Sequence, residues 1–398
     1  MSPGETTKKI DMEPSAASTV RIGSARVPGG DAGISLAELR HTYNTIIRAG
    51  AIHYPVAYQL QRELGRGRQG AVFLSHRQGA RGCITKHAIK LFDPGIYRSP
   101  EEYWTDMGRI ASQISQLHGV QCPHHVSRHS YEETYGIGYV EMDAIDGMDV
   151  RQLLGHEHLE VARENCTKEE WKRFSNTIFK IDGDNVCLQP GVVVYIMRRV
   201  LRGLERLHSL HFLHCDIKPA NIMIDRLGSV RIVDFGRAVV QGEKLAFLLG
   251  SPLYMAPETH RRQLMDSRSD LYGLGLIGIE MLVGAPPIDV KEMDEKLLLE
   301  SKIKLPKRLS DVLPLRVRKY RNLVRTIRRL IAPDPDDRYS SAREAEEGED
   351  SLKVVDRRFA HPASGVEYER ELSDYLMKLV DSKTDRIEVE EDEGTPAS

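Results

Sequence analysis

The chain of 398 residues carries 56 basic and 58 acidic side chains, a formal charge of -2, which excludes a global pull toward nucleic acid or membrane and leaves only local charged runs to provide one. Hydrophobic residues make up 40%, enough for an extensive core in two or three domains or in one large α+β unit with tails. The five cysteines, Cys83, Cys122, Cys166, Cys187 and Cys215, are odd in number and form no CxxC pair, so the cytoplasm or another reducing compartment fits better than a disulfide scaffold.

In chain order, residues 1–34 are rich in Gly, Ser, Pro and Thr, lack the apolar run of a secretory signal, and read as disordered. An N-terminal extension over 35–57 holds a short helix at 35–49. From Tyr58, YQLQRELGRGRQGAVFLSH reads as a strand, a glycine-rich turn and a second strand. RQGARGC then reads as a hairpin connection and HAIKLF as a third strand. A helix is expected over 100–118, with Ser99 as N-cap and Pro100 in its first turn, and YGIGYVEMDAI as a strand or strand pair.

After residue 150 helical signals dominate, broken by FLHCD, NIMID and SVRIVDF. Residues 157–190 are polar and irregular, and read as an insertion with its own short helix. LYGLGLIGIEMLVG at 271–284 is too short to span a bilayer and contains Glu280, so it reads as a core helix. LRVRKYRNLVRTIRR at 315–329 carries seven basic residues beside an apolar stripe of Leu323, Val324, Ile327 and Leu330. A solvated helix face is the favoured reading, and a docking surface for an acidic or phosphorylated partner the alternative. Residues 370–380 have helical periodicity, and 381–398, with seven acidic and two basic side chains, read as a disordered tail. A strand-rich first part and a helix-rich second part place a cleft between them as the natural site.

Gly65, Gly67 and Gly70 have the spacing G-x-G-x-x-G, which lets backbone approach charged oxygens closely. Alone, the spacing is a weak signal, open to a bland glycine-rich hairpin and to a dinucleotide-binding turn. The latter wants a helix after the last glycine, whereas AVFLSH is rich in strand formers, so a flap between two strands fits better. Lys90 ends the apolar AIK segment and could pair with polyphosphate. In HFLHCDIKPANIMID, Asp216 can orient a hydroxyl and accept its proton, Lys218 can stabilise transferred negative charge, and Asn221 offers an amide oxygen to a divalent cation. Asp234, which opens DFG after the apolar SVRIV, offers carboxylate oxygens to the same cation. Hard oxygen ligands suit Mg²⁺, and the combination suits a phosphoryl group in transfer.

The ordered series GRGRQGAV, AIK, HCDIKPAN, DFG, SPLYMAPE and DLYGLG resembles the eukaryotic-like serine/threonine protein kinase family from about Tyr58 to about Ala342. The resemblance implies an α+β, bilobal protein-kinase-like fold. Its strand-rich N-lobe would span 58–142, its hinge 143–145 and its helical C-lobe 146–342, followed by a C-terminal extension over 343–398. It implies ATP as co-substrate, Mg²⁺ with Mn²⁺ as the alternative, and protein substrates with Ser/Thr acceptors. Gly65, Gly67 and Gly70 would cover the phosphates, and Lys90 would contact the α- and β-phosphates. Asp216 would be the catalytic base, Lys218 would touch the γ-phosphate, and Asn221 and Asp234 would hold the metal. Val72 and Ala88 would flank the adenine, Met142 would be the gatekeeper, Asp143 to Ile145 the hinge, and Asp149 the ribose contact. Glu258 would pair with Arg338, and Asp270 would hold the catalytic-loop backbone.

Two departures from the family pattern stand out. Relatives controlled by activation-loop phosphorylation carry an arginine where Cys215 stands, and cysteine cannot grip a phosphate. Between Phe235 and Gly250 there is no Ser, Thr or Tyr, so both halves of that switch are missing, and Ser251 fits peptide positioning. The second departure is the glutamate expected opposite Lys90. Counting back from Leu117 lands near Ile110, and Glu101, Glu102 and Asp106 lie further back, so the partner is left open. HGVQCPHHVSRH lacks a paired zinc-knuckle spacing and reads as a helix-to-strand connection. The rivals to a protein kinase are a pseudokinase or scaffold that regulates a partner, supported by the open Lys90 partner, and a small-molecule kinase, disfavoured by DIKPAN and SPLYMAPE together. A regulatory protein would dock on the terminal extensions or the basic C-lobe surface. No nucleic-acid or membrane partner is indicated, and the oligomeric state is left open.

Overall fold

A computed structural model describes residues 34–242, 251–289, 294–359 and 367–379. Residues 1–33 of the expected disordered start and the acidic tail 381–398 lie outside the described residues. Among the described residues, no helix is long and apolar enough to cross a membrane.

The extension preceding the first lobe is helix α1 (Leu36–Ala49), as expected. Ser35 and Glu38 form a capping box at its start, and Gly50, at φ 65°, ends it in the left-handed conformation. Its apolar face buries Leu39, Tyr43 and Ile46. The first lobe is one antiparallel six-stranded sheet of β1 (Ala51–Ile52), β2 (Tyr58–Gly67), β3 (Gly70–Gln78), β4 (Ile84–Phe92), β5 (Arg128–Thr134) and β6 (Ile137–Asp143), in the order β1-β2-β3-β4-β6-β5. Helix α2 (Pro100–Leu117) packs beside β5 and, as expected, is capped by Ser99, whose side chain accepts from the Glu102 amide. YGIGYVEMDAI supplies only β6. Its partner β5 is RHSYEET, part of which the sequence reading assigned to a connection.

The flap is the β2–β3 hairpin, where Gly67 pairs with Gly70. Gly70 sits at φ 143°, and a Cβ there would lie 1.9 Å from the Leu91 carbonyl oxygen. Gly70→Ala is therefore expected to cost about 1–3 kcal/mol of stability, read from a urea midpoint; an unchanged midpoint would contradict this packing. At Gly65 and Gly67 an added Cβ would meet nothing within 4 Å, so space above the flap, not packing, is what these glycines provide.

The second lobe opens with β7 (Gly147–Asp149) and α3 (Val150–Leu153). The insertion follows as α4 (Glu157–Glu164), α5 (Lys168–Thr177) and the hairpin β8 (Phe179–Asp182)–β9 (Asn185–Leu188), more structure than the single helix expected. Helix α6 (Pro190–His208) leads to β10 (Phe212–Leu213), β11 (Ile222–Asp225), β12 (Val230–Ile232) and β13 (Val239–Val240). Short helix α7 (Pro257–His260) precedes α8 (Ser267–Val283), in which every residue from Asp270 to Leu282 is buried. The apolar run is thus the core helix its length implied.

Helices α9 (Glu295–Val312), α10 (Leu315–Arg318), α11 (Arg321–Leu330), α12 (Ala342–Glu347), α13 (Leu352–Phe359) and α14 (Tyr368–Met377) complete the lobe. On α11, Leu323, Val324, Ile327 and Leu330 are buried. Much of the basic run is already engaged: Arg329 meets Glu344 at 2.8 Å, Arg325 pairs with Asp350, and Arg316 donates to the Leu282 carbonyl at 2.9 Å. Helix α14 docks on the insertion, where Arg173 meets Asp374 at 3.0 Å and Asn165 donates to the Lys378 carbonyl at 2.9 Å. Arg338 grips Glu258 through two hydrogen bonds of 2.8 Å, both side chains being buried.

Candidate active site

Sheet register assembles the ceiling of the cleft. Ala88 and Lys90 are two residues apart on β4, Val72 lies opposite Lys90, and Met142 lies opposite Ala88. Directly opposed residues share a face, so all four look the same way, toward the second lobe. Asp143, Ala144 and Ile145, expected as the hinge, are half-buried, and Asp143 accepts from His129 Nε2 at 2.7 Å. Asp149 pairs in register with Met223 and caps α3, accepting from the Gln152 amide at 2.7 Å. Burial raises its pKa above the ordinary carboxylate value, against that hydrogen bond.

The floor is the loop between β10 and β11. Cys215 adopts the left-handed φ of 63°, a conformation that costs a non-glycine residue and persists only where its surroundings enforce it. Asp270 does so: its carboxylate accepts from the His214 amide at 2.8 Å and the Cys215 amide at 2.9 Å, as expected, and also from His208 Nε2 at 2.8 Å. Burial works to raise the Asp270 pKa, but these donors prevail and hold it below its ordinary value.

Asp216, buried to 4% exposure, receives Ser251 Oγ on Oδ1 at 3.0 Å and Lys218 Nζ on Oδ2 at 2.8 Å. Arg237 adds a second cation 3.9 Å from Oδ2. Asn221 donates its amide nitrogen to the Asp216 carbonyl at 2.8 Å, which leaves its amide oxygen outside that bond. Asp234 also has a left-handed φ, 57°, and its Oδ1 accepts from Lys90 Nζ at 2.5 Å. Burial would raise the Asp234 pKa; the Lys90 ammonium outweighs it and holds the carboxyl at about 2, ionised at any physiological pH. The structure thus brings Lys90 to Asp234, and Lys218, Asn221 and Ser251 to Asp216.

The open question of the Lys90 partner has a definite answer. Among the described residues it is Asp234, with the flap residue Gln69 second at 3.3 Å. The acids of α2 are engaged elsewhere: Asp106 accepts from Tyr97 at 2.6 Å and Arg109 at 2.9 Å, and Glu102 accepts from the Arg98 amide at 2.9 Å. Apolar Ile110 instead lines the small cavity behind Lys90, together with Gln113, Arg128 and Phe235. Helix α2 grips the loop after Asp234 by another route, for Arg109 donates to the Gly236 carbonyl at 2.9 Å and Gln113 to the Ala238 carbonyl. Phe235 is fixed by His125 and His214, with ring centroids 5.0 and 5.1 Å away, and by the Arg128 guanidinium at 4.2 Å.

Gln69, Arg109, Gln113, Arg128 and Arg237 escaped the sequence reading, which takes His125 only as part of the helix-to-strand connection. Gln69 was legible, since it lies inside the glycine spacing just before Gly70. Arg109 and Gln113 stand four apart on one helix face, but only the fold shows what that face meets.

The family profile described as protein kinase domain matches residues 58–348. The chain is 29% identical over 303 residues to the serine/threonine-protein kinase PknH of Mycobacterium bovis, covering 74% of this chain and 43% of that protein. It is 27% identical over 307 residues to the human ribosomal protein S6 kinase alpha-1, covering 76% of this chain and 37% of that protein. The chain therefore spans less than half the length of these curated relatives. Its fold is shared with the PknI kinase domain of Mycobacterium tuberculosis, at a TM-score of 0.51 and 22% identity, covering 77% of this chain and 98% of that one. With the family match extending over far more than half its length, the chain belongs to the protein kinase family.

Proposed function

We propose that this protein transfers the γ-phosphoryl group of ATP to serine or threonine hydroxyls of protein substrates, and does so without an activation-loop phosphate. The observation that carries the reading is the pairing of Lys90 with Asp234 beside an Asp216 whose two oxygens are already oriented by Ser251 and Lys218. An acceptor hydroxyl would hydrogen-bond to Asp216, whose carboxylate keeps lone pairs beyond the two in use. The acceptor oxygen bonds to the γ-phosphorus as the bond to the β,γ-bridging oxygen breaks, ADP leaves, and the hydroxyl proton passes to Asp216. Lys218 would offset charge on the transferred group, and Lys90 would hold the α- and β-phosphates once they take the place of Gln69.

The donor set suits a hard dication. Asp234 is an ionised carboxylate, and Asn221 is buried with its amide nitrogen already committed. Two protein oxygens plus phosphate oxygens and water are what Mg²⁺, or Mn²⁺ in its place, accepts. Bound there, the ion would neutralise phosphate charge.

A pseudokinase reading draws on one observation, the apolar Ile110 where an acidic partner for Lys90 would be expected. One experiment separates the two. Purified protein shown by mass spectrometry to carry no phosphate, Ser251 and Tyr254 included, is incubated with labelled ATP, Mg²⁺ and a Ser/Thr peptide library. Label on acceptor hydroxyls is expected. Nucleotide binding without any transfer would favour the pseudokinase, and transfer only after a specific phosphate is added would defeat the regulatory part.

A further inference from the structure

Lys302, on α9, is completely buried, at 0% exposure. Its ammonium has three donors, and three acceptors surround it: the Pro252 carbonyl at 2.5 Å, the Met255 carbonyl at 2.6 Å and His260 Nε2 at 2.8 Å. No carboxylate is among these partners. Burial pulls its pKa down to about 7, with Glu258 acting weakly the other way. A buried ammonium without a bonded counter-ion is expensive, so stability alone is a poor reason for a lysine here; a methionine would fill similar space at lower cost.

What the lysine holds supplies a better reason. Both carbonyls belong to the segment 251–256, whose first residue, Ser251, donates to Asp216 at 3.0 Å. Tyr254 in the same segment donates to the buried Glu280 at 2.7 Å. Ser251, Tyr254, Met255 and Ala256 line a small cavity together with Cys215 and Asp216. The segment is thus fastened at three points beside the base. His260, from the helix that follows, closes the arrangement: its Nε2 lies 2.8 Å from Lys302 Nζ and 3.2 Å from the Pro252 carbonyl, and its Nδ1 lies 3.3 Å from Glu295.

We propose that Lys302 is a positioning residue that holds the acceptor-docking segment 251–256 against Asp216, doing the work for which phosphate-switched relatives use an activation-loop phosphate. The proposal rests on the phosphotransfer reading above. It also accounts for two otherwise disconnected sequence facts, the loss of arginine at Cys215 and the lack of a hydroxyl between Phe235 and Gly250. A loop anchored permanently from α9 requires neither.

The test compares the full chain with Lys302→Met and Lys302→Gln, using a Ser/Thr peptide library as acceptor. Lys302→Met is expected to raise KM for the peptide by about tenfold, with KM for ATP and acceptor-free ATP hydrolysis within about twofold of wild type. Lys302→Gln keeps an amide donor for the carbonyls, so a smaller rise in the same direction is expected; it also carries the test should Lys302→Met fail to fold. Unchanged peptide KM in a folded variant, or equal losses in the peptide and ATP parameters, would overturn the proposal. Wild-type protein that binds nucleotide but transfers to no acceptor would instead overturn the phosphotransfer reading, and this inference with it.

Discussion

Asp216→Asn should reduce phosphotransfer by about 10²–10⁴-fold, the range that general-base catalysis contributes, while nucleotide affinity stays within about threefold. The substitution is nearly isosteric, and the groups around it can adapt. Lys218 can donate to an amide oxygen in the Oδ2 position, the Ser251 hydroxyl can turn to accept from the amide NH2 in the Oδ1 position, and Asn221 bonds the backbone carbonyl, which is unchanged. What disappears is an ionised acceptor for the hydroxyl proton. Lys90 and Asp234, the groups expected to meet nucleotide and metal, do not bond to Asp216. Initial rates with labelled ATP, paired with a titration of fluorescent nucleotide, check both halves. Equal rates in mutant and wild type would remove Asp216 from its assigned role.

The largest expected effect on stability lies away from the chemistry. Arg338 is buried at 2% exposure and donates to both oxygens of Glu258, to the Ala332 carbonyl at 2.8 Å and to the Arg268 carbonyl at 3.0 Å. Its guanidinium also lies 4.8 Å from the centre of the Tyr272 ring. Arg338→Met leaves the Glu258 carboxylate buried with Ser269 as its remaining hydrogen-bond donor, so a loss of about 3–5 kcal/mol is expected. Adding Glu258→Gln should recover part of it, because the stranded charge is then gone. Urea midpoints of the two single variants and the double variant measure this. A loss below about 1 kcal/mol in Arg338→Met would mean the pair is solvated and its burial overstated.

The motif residues were legible because their spacing is local and their chemistry narrow. Asp216, Lys218 and Asn221 fall within six residues of one another, so one loop presents all three whatever surrounds it. The capped helix α2 and the apolar core helix α8 were likewise readable, since caps and continuous apolar runs are local signals. Strand β5 was missed because it is an edge strand: RHSYEET is mostly polar, and its burial shows no clean alternation. The partner of Lys90 stayed open for a different reason. Asp234 is 144 residues away in sequence, and nothing local marks its carboxylate as the one that meets the lysine. Lys302 gave no signal at all. A lysine in ESKIKLPKRL reads as one solvated charge among several, and only the fold shows it pointing inward beneath residues 251–256.

The insertion and the C-terminal extension illustrate the same limit. Each was recognisable as irregular or helical, but their association through Arg173, Asp374 and Tyr375 pairs residues some 200 positions apart, beyond the reach of periodicity. The dense intramolecular bonding of Arg316, Arg325 and Arg329 was hidden for the same reason.

The central claim is that Lys90, Asp216, Asn221 and Asp234 converge on a single metal-bound triphosphate. A structure of the protein with a non-hydrolysable ATP analogue and Mg²⁺ tests it most directly. The account predicts Lys90 within hydrogen-bond distance of the α- or β-phosphate, Asn221 and Asp234 on the ion, Gln69 displaced, and Asp216 facing the γ-phosphate with no direct metal bond. A triphosphate lying away from Lys90, with the ion bound by neither Asn221 nor Asp234, would contradict it.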